Sequence, residues 1–230
     1  MKLLLKQVNY KSPDDFLIIL GDLIDRGPNS VGMIKMARRL EKDGAKILKG
    51  NHEIMFLMYL AGHLDEEHYF RNGGNQTIQS YVETYQDGVD DALTDDITWL
   101  SGLPAMFELK NYVFTHAGFD PTKPLYSQDV DNFLWGDKKK RFLKGPTGID
   151  KFTIIGHYQA SALRSDKQPR VWLADGKMCI NTGADMGQFL SLVELPAGIV
   201  YATQTVKTPF PNPNIEKLYK GEVITYKVGE

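Results

Sequence analysis

The chain has 230 residues, of which 24% are charged and 42% hydrophobic, with 27 basic against 29 acidic side chains and a formal net charge of -2. This balance excludes intrinsic disorder as the main state and leaves no general electrostatic reason to hold nucleic acid or an anionic membrane, so any phosphate recognition has to be local. A single cysteine, Cys179, excludes an intramolecular disulfide and a cysteine-rich metal cluster. No stretch approaches the roughly 18 apolar residues of a membrane span, and residues 1–10 have neither the apolar core nor the cleavage site of a signal peptide. The expectation is a cytoplasmic protein.

In chain order, residues 16–20 (FLIIL) form a short, wholly apolar run stopped by Gly21, which predicts a buried strand. From Ser30 to Asp43, Val31, Ile34, Ala37 and Leu40 recur at helical spacing, with Asn29 or Ser30 as cap and Gly44 beyond the end. Residues 45–48 (AKIL) are the next strand, so the order is a βαβ unit with parallel pairing. Residues 54–101 read as a helical cap segment, interrupted at 72–74 and 87–88, with Thr94 as N-cap of the part around Trp99. After Pro104 the pattern turns to strands, at 106–109, 112–115, 152–155, 171–174, 177–181, 189–195 and 199–203. Asp175-Gly176 marks a hairpin between two of them. Residues 209–214 (PFPNPN) read as a turn that sets off a tail, 209–230, able to add an edge strand.

Polar residues cluster where the buried strands end: Gly21 to Gly27, Gly50 to Glu53, Thr115 to Gly118, and Gly156-His157. In an α/β layer the carboxyl ends of strands form the ligand crevice, so these clusters are expected on one rim. Asp22, Asn51, His116 and His157 are the ligand types of a hard or borderline divalent metal, Mn, Fe or Zn rather than Ca or Mg. Arg26 offers a planar fork for phosphate oxygens, and Asp25 is placed to orient His52 as a general acid. Singly, Asp22 reads equally as a turn residue, Asn51 as a helix cap and each histidine as an ordinary buried ring. Three of only five histidines directly following predicted strands is what favours a site.

GDLIDRGPNS (21–30), GNHE (50–53), THAG (115–118), GH (156–157) and INTGA (180–184) together resemble the ordered motifs of the calcineurin-like metallophosphoesterases. They are most similar to the bacterial and phage serine/threonine phosphatase branch, which also includes symmetrical dinucleoside tetraphosphate hydrolases. NGGNQTIQSY (72–81) resembles that branch's cap segment. The resemblance implies an α/β fold, a β-sandwich flanked by helices in four layers, over residues 1–208. It implies two divalent metals, with Asp22 bridging and Asn51, His116 and His157 completing the second. Arg26 and Asn51 would bind phosphate, and His52, supported by Asp25, would protonate the leaving oxygen after in-line attack by a metal-bridging water. The activity implied is hydrolysis of phosphate monoesters on protein or small molecules, with dinucleoside tetraphosphates as the alternative and a noncatalytic phosphate-binding relative as a third possibility.

Two departures stand out. The family's opening strand and its GD-x-HG motif, which supplies the first metal, have no counterpart before Phe16. The expectation is therefore a truncated gene, or else a fragment or degenerate member, lacking one strand and the first-metal ligands. Asp137, two residues after Trp135, stands where similar members carry a second phosphate-clamping arginine, leaving Lys138, Lys139, Lys140 or Arg141 as the nearest substitutes. Met33, Met36, Met55 and Met58 are expected in the core and Cys179 buried in a strand, whereas His63 and His68 read as residues of a solvated loop.

Overall fold

The structure, a computed structural model, describes residues 1–86, 89–205 and 223–228. Helix α1 (Lys2–Gln7) precedes β1 (Ile18–Ile19), and β1 pairs in parallel with β2 (Lys46–Ile47) across the crossover helix α2 (Ser30–Lys42). Asn29 caps α2 by accepting the Gly32 N–H at 2.8 Å, and the helix buries Val31, Ile34, Ala37 and Leu40, the residues at helical spacing. The two strands end against each other. Gly21 is left-handed (φ +88°), and a Cβ on it would lie 2.3 Å from the Gly50 nitrogen. Only glycine fits there, and that closeness brings the residues after both strands together.

Helices α3 (Asn51–Leu60), α4 (Glu66–Arg71), α5 (Gly74–Tyr85) and α6 (Val89–Gly102) follow. Gly50, not Asn51, is the N-cap of α3, so the Asn51 side chain is left for other partners. Thr94 lies inside α6 rather than at its start, because the helix already runs from Val89. Phe56 stacks between Tyr69 and Tyr81, with ring centroids 6.0 and 5.9 Å away, in one apolar cluster with α2. The cap segment is thereby welded to the first βαβ unit. Met55 is buried and Met33 and Met36 pack against this core, but Met58 is exposed, because the α3 face it occupies has no layer over it.

The second half forms a five-stranded sheet of order β3 (Met106–Glu108), β4 (Tyr112–Thr115), β5 (Phe152–Ile155), β7 (Lys177–Cys179), β6 (Trp172–Ala174). β4, β5 and β7 run parallel, while β3 and the β6–β7 hairpin at Asp175-Gly176 are antiparallel edges. Alternation along the strands sorts the two faces. Val113, Ile155 and Cys179 face α7 (Val130–Trp135), α8 (Arg141–Lys144) and α9 (Ala160–Leu163), packing with Phe133, Phe142 and Ala160. Phe114 and Ile154 pack on Leu20 and Leu48 beside β1 and β2, and Met178 packs on Val200 of the second sheet. That sheet is antiparallel, in the order β8 (Phe189–Glu194), β9 (Ile199–Gln204), β10 (Val223–Lys227). The layers are helix, sheet, sheet, helix. Each fully buried aliphatic side chain between them contributes about 1.5–3 kcal/mol. The 87–88 interruption and the 209–214 turn lie outside the described residues; within the tail, β10 is the edge strand of its sheet.

Candidate metal centre

All four sequence clusters meet at one rim. Asp22 follows β1, Asn51 opens α3 after β2, and His116 and His157 follow β4 and β5. Asp22, Asp25, Arg26 and His157 all have positive φ, 54°, 66°, 56° and 47°. Such backbone costs of order 1–3 kcal/mol per residue, so something must hold it. For the first turn the holder is Glu53, a fully buried residue missed by the sequence reading. Its carboxylate accepts the N–H groups of Gly50 at 2.7 Å, Asp22 at 2.9 Å and Leu23 at 2.7 Å. One side chain ties the ends of both strands together.

The ligand atoms converge. Asn51 Oδ1 lies 2.9 Å from His116 Nε2 and 2.8 Å from His157 Nδ1, those two ring nitrogens are 3.2 Å apart, and Asp22 Oδ2 is 3.3 Å from His116 Nε2. His116 Nδ1 sits 2.6 Å from the Leu20 carbonyl, which can only accept, so that nitrogen carries the ring proton and neutral His116 presents a lone pair at Nε2. An amide oxygen, a carboxylate and two imidazole lone pairs then point at one another. These four side chains could hold a divalent cation, and mixed oxygen and nitrogen donors suit Mn, Fe or Zn. Asp22, His116 and His157 form a three-residue group with all ligand atoms within 4.8 Å. Without a metal a proton partly fills the role. Burial opposes charging His116, but the Asp22 carboxylate overrides it and raises the His116 pKa. Burial and then the charge of His116 lower His157 to about 4. Burial would raise Asp22, yet His116 and His52 hold it well below the usual carboxylate range.

Beside this cluster, His52 Nδ1 meets Asp25 Oδ2 at 2.6 Å, both side chains being buried. The other oxygen of Asp25 accepts the Tyr69 hydroxyl at 2.8 Å and the Thr77 hydroxyl at 2.6 Å, and the Asp25 N–H donates to Thr77 Oγ1 at 2.9 Å. Burial and the Asp25 charge push the Tyr69 phenol far above its ordinary range, so it remains a donor. Tyr69 and Thr77 come from the cap helices. Their only sequence signal was the NGGNQT run, which contains Thr77 but not Tyr69.

Arg26 projects to the same side with its side chain partly exposed. Its Nε donates to the Asn72 carbonyl at 3.3 Å and its Nη1 to Asp185 Oδ2 at 2.8 Å. Asp137 is buried and caps α8, accepting the Arg141 and Phe142 N–H groups at 3.0 Å each. Arg141 is committed to Asp137 and, at 2.5 Å, to Asp120, while Lys138, Lys139 and Lys140 are exposed on the connecting loop. Trp135 is half-exposed with its ring 6.1 Å from that of His157.

The sequence profile of the Calcineurin-like phosphoesterase family matches residues 1–185. The chain belongs to this family of metal-dependent hydrolases acting on phosphoester bonds. Among curated relatives, it is 31% identical over 64% of its length to a symmetrical bis(5'-nucleosyl)-tetraphosphatase of Psychromonas ingrahamii, covering 51% of that protein. It is 28% identical over 78% of its length to one from Marinomonas sp., covering 67% of that protein. The chain thus spans about half to two thirds of these relatives' length. A solved structure described as a candidate diadenosine tetraphosphatase superposes with a TM-score of 0.63 at 20% identity, over 89% of this chain and 86% of that one. A cold-active protein-tyrosine phosphatase from a psychrophilic Shewanella superposes at 0.51 and 15% identity, over 89% and 73%. At these identities the structures speak for the fold alone. Among the described residues no helix is long and apolar enough to cross a membrane.

Proposed function

We propose that this chain hydrolyses monoesters of small phosphorylated molecules. The observation that carries the reading is the buried Asp25–His52 pair, 2.6 Å apart, set against a cluster of metal-ligand side chains. Asp22, Asn51, His116 and His157 would hold a divalent ion, Mn, Fe or Zn. When bound, such ions supply Lewis-acid stabilisation of the phosphoryl oxygens and an activated water for in-line attack. Asp25 holds the His52 ring by Nδ1, leaving Nε2 to donate a proton to the departing oxygen. Arg26, with Asn51 nearby, binds and orients the phosphoryl group.

A second reading is symmetrical cleavage of dinucleoside tetraphosphates, which the names of the curated relatives favour. A phosphoprotein substrate has no comparable support. The test is incubation with Mn²⁺ and either p-nitrophenyl phosphate or diadenosine tetraphosphate, followed by product analysis. Release of phosphate from the monoester at the higher kcat/KM supports the first reading; ADP formed far faster from the dinucleotide replaces it with the second. No hydrolysis of either sinks both.

A further inference from the structure

We infer that Asp185 selects substrates by the charge of the group attached to the scissile phosphate. The inference rests on Arg26 being the phosphate contact, as in the proposed function. Arg26 is the cation on the turn after β1, and Asp185 occupies one of its nitrogens. Nε is engaged by the Asn72 carbonyl and Nη1 by Asp185, so a phosphoryl oxygen would be taken at Nη2, roughly 5 Å from the Asp185 carboxylate. At that range a unit charge is felt strongly at a partly exposed site. The scissile phosphate, held by metal and arginine, outweighs this repulsion. A second anionic group on the substrate has no such compensation, whereas an ammonium or hydroxyl finds an acceptor.

Both partners are fixed by backbone rather than by chance surface contact. Asp185 sits on a short 3-10 turn, Ala184–Met186, between two left-handed glycines, Gly183 and Gly187. The Gly183 N–H donates to Asn181 Oδ1 at 3.0 Å, Asn181 Nδ2 donates to the His157 carbonyl at 3.0 Å, and Thr205 Oγ1 donates to the Ala184 carbonyl at 2.7 Å. The turn carrying Asp185 is thereby tied to the residue carrying a metal-ligand ring. On the other side, the Arg26 N–H donates to the Gly73 carbonyl at 3.0 Å, which fixes the root of the arginine against the cap. A partly exposed pair of this kind contributes little to stability, so removing the carboxylate tests selection with small effect on folding.

The experiment uses three monoesters with the same phosphate group: O-phosphoethanolamine with a cationic leaving group, glycerol 3-phosphate with a neutral one and 3-phosphoglycerate with an anionic one. Binding with Mn²⁺ present is measured by calorimetry in a His52→Asn background, which slows consumption of the ester during the titration, and kcat/KM is measured alongside with His52 intact. Expected for the unaltered chain is an order of preference cationic, neutral, anionic, spanning roughly tenfold or more between the ends, equivalent to about 1.4 kcal/mol. Asp185→Asn, with Asp185→Ser as a second variant, should compress that spread to under about threefold, chiefly by improving 3-phosphoglycerate. Arg26→Ala should weaken all three alike. An unchanged spread in both Asp185 variants overturns the inference while continued hydrolysis leaves the proposed function standing. Unchanged binding in Arg26→Ala also overturns it, because the anchor is then wrong. If none of the three esters binds and none is hydrolysed, the proposed function and the inference fall together.

Discussion

The Asp25 carboxylate holds the His52 ring at 2.6 Å through one oxygen and is itself held through the other by Tyr69 and Thr77 of the cap. The cap is therefore wired to the residue read as the general acid. His52→Asn should lower turnover roughly 10²-fold to 10⁴-fold with metal content intact. The defect should be smaller for p-nitrophenyl phosphate, a good leaving group, than for an alkyl phosphate. Equal losses on the two would remove His52 from proton donation.

Tyr69→Phe deletes a buried hydrogen bond to a carboxylate and should cost about 1.5–3 kcal/mol in a denaturant titration. Because Asp25 then holds His52 less firmly, alkyl phosphates should again suffer more than aryl phosphates. Thr77→Val should behave alike, with a further cost from the unpaired Asp25 N–H. If either variant shows a stability loss and no leaving-group dependence, the cap supports the fold without positioning the dyad.

Glu53→Gln should be more damaging than its size suggests. The carboxylate accepts three N–H groups, and an amide keeps one acceptor oxygen while pointing its NH₂ at donors. Roughly 3 kcal/mol of stability should go. Metal affinity should fall with it, since the left-handed Asp22 backbone loses its tether. A variant with normal melting and metal content would show that the Gly21–Gly50 contact alone fixes the turn.

The first βαβ unit was legible in the sequence because apolar spacing and caps are local: Val31, Ile34, Ala37 and Leu40 are the buried residues of α2, and Asn29 is its cap. The polar rim was legible too, because the residues after each buried strand necessarily share one edge of the fold. What stayed hidden depended on approach between distant segments. Asp185 meets Arg26 across 159 positions, and Tyr69 meets Asp25 across 44. Asp137 looked like a lost phosphate clamp because similar members carry an arginine at that place after the tryptophan, yet its actual work is to accept the first N–H groups of α8 and pair with Arg141. Met58 matched the helical spacing of a core residue, but periodicity cannot say whether a layer exists above that face.

Metal binding should follow the charge state of His116. In the metal-free chain burial opposes protonation of this ring, but Asp22 raises its pKa, whereas His157 is held down to about 4 and is neutral at neutral pH. A divalent ion must take His116 Nε2 as a lone pair, so its binding expels a proton. Ion binding should release protons, more per ion as pH falls below the folded pKa of His116, read by calorimetry in two buffers of different ionisation enthalpy. Affinity should rise about tenfold per pH unit up to the folded pKa of His116 and then level. Stability of the metal-free chain has the matching signs. The raised His116 contributes fully below its ordinary pKa of about 6.5 and loses its contribution as pH rises through the folded value. The depressed Asp22 contributes above about 3.9 and loses its contribution as pH falls through its folded value. His157, lowered on folding, subtracts stability as pH falls from about 6.5 toward 4. Asp22→Asn should abolish the tight site and with it the proton release, because the carboxylate that raises His116 is gone. Binding of a metal by the unaltered chain with no proton release would mean either that His116 is already neutral in the metal-free chain or that the ion does not take its Nε2.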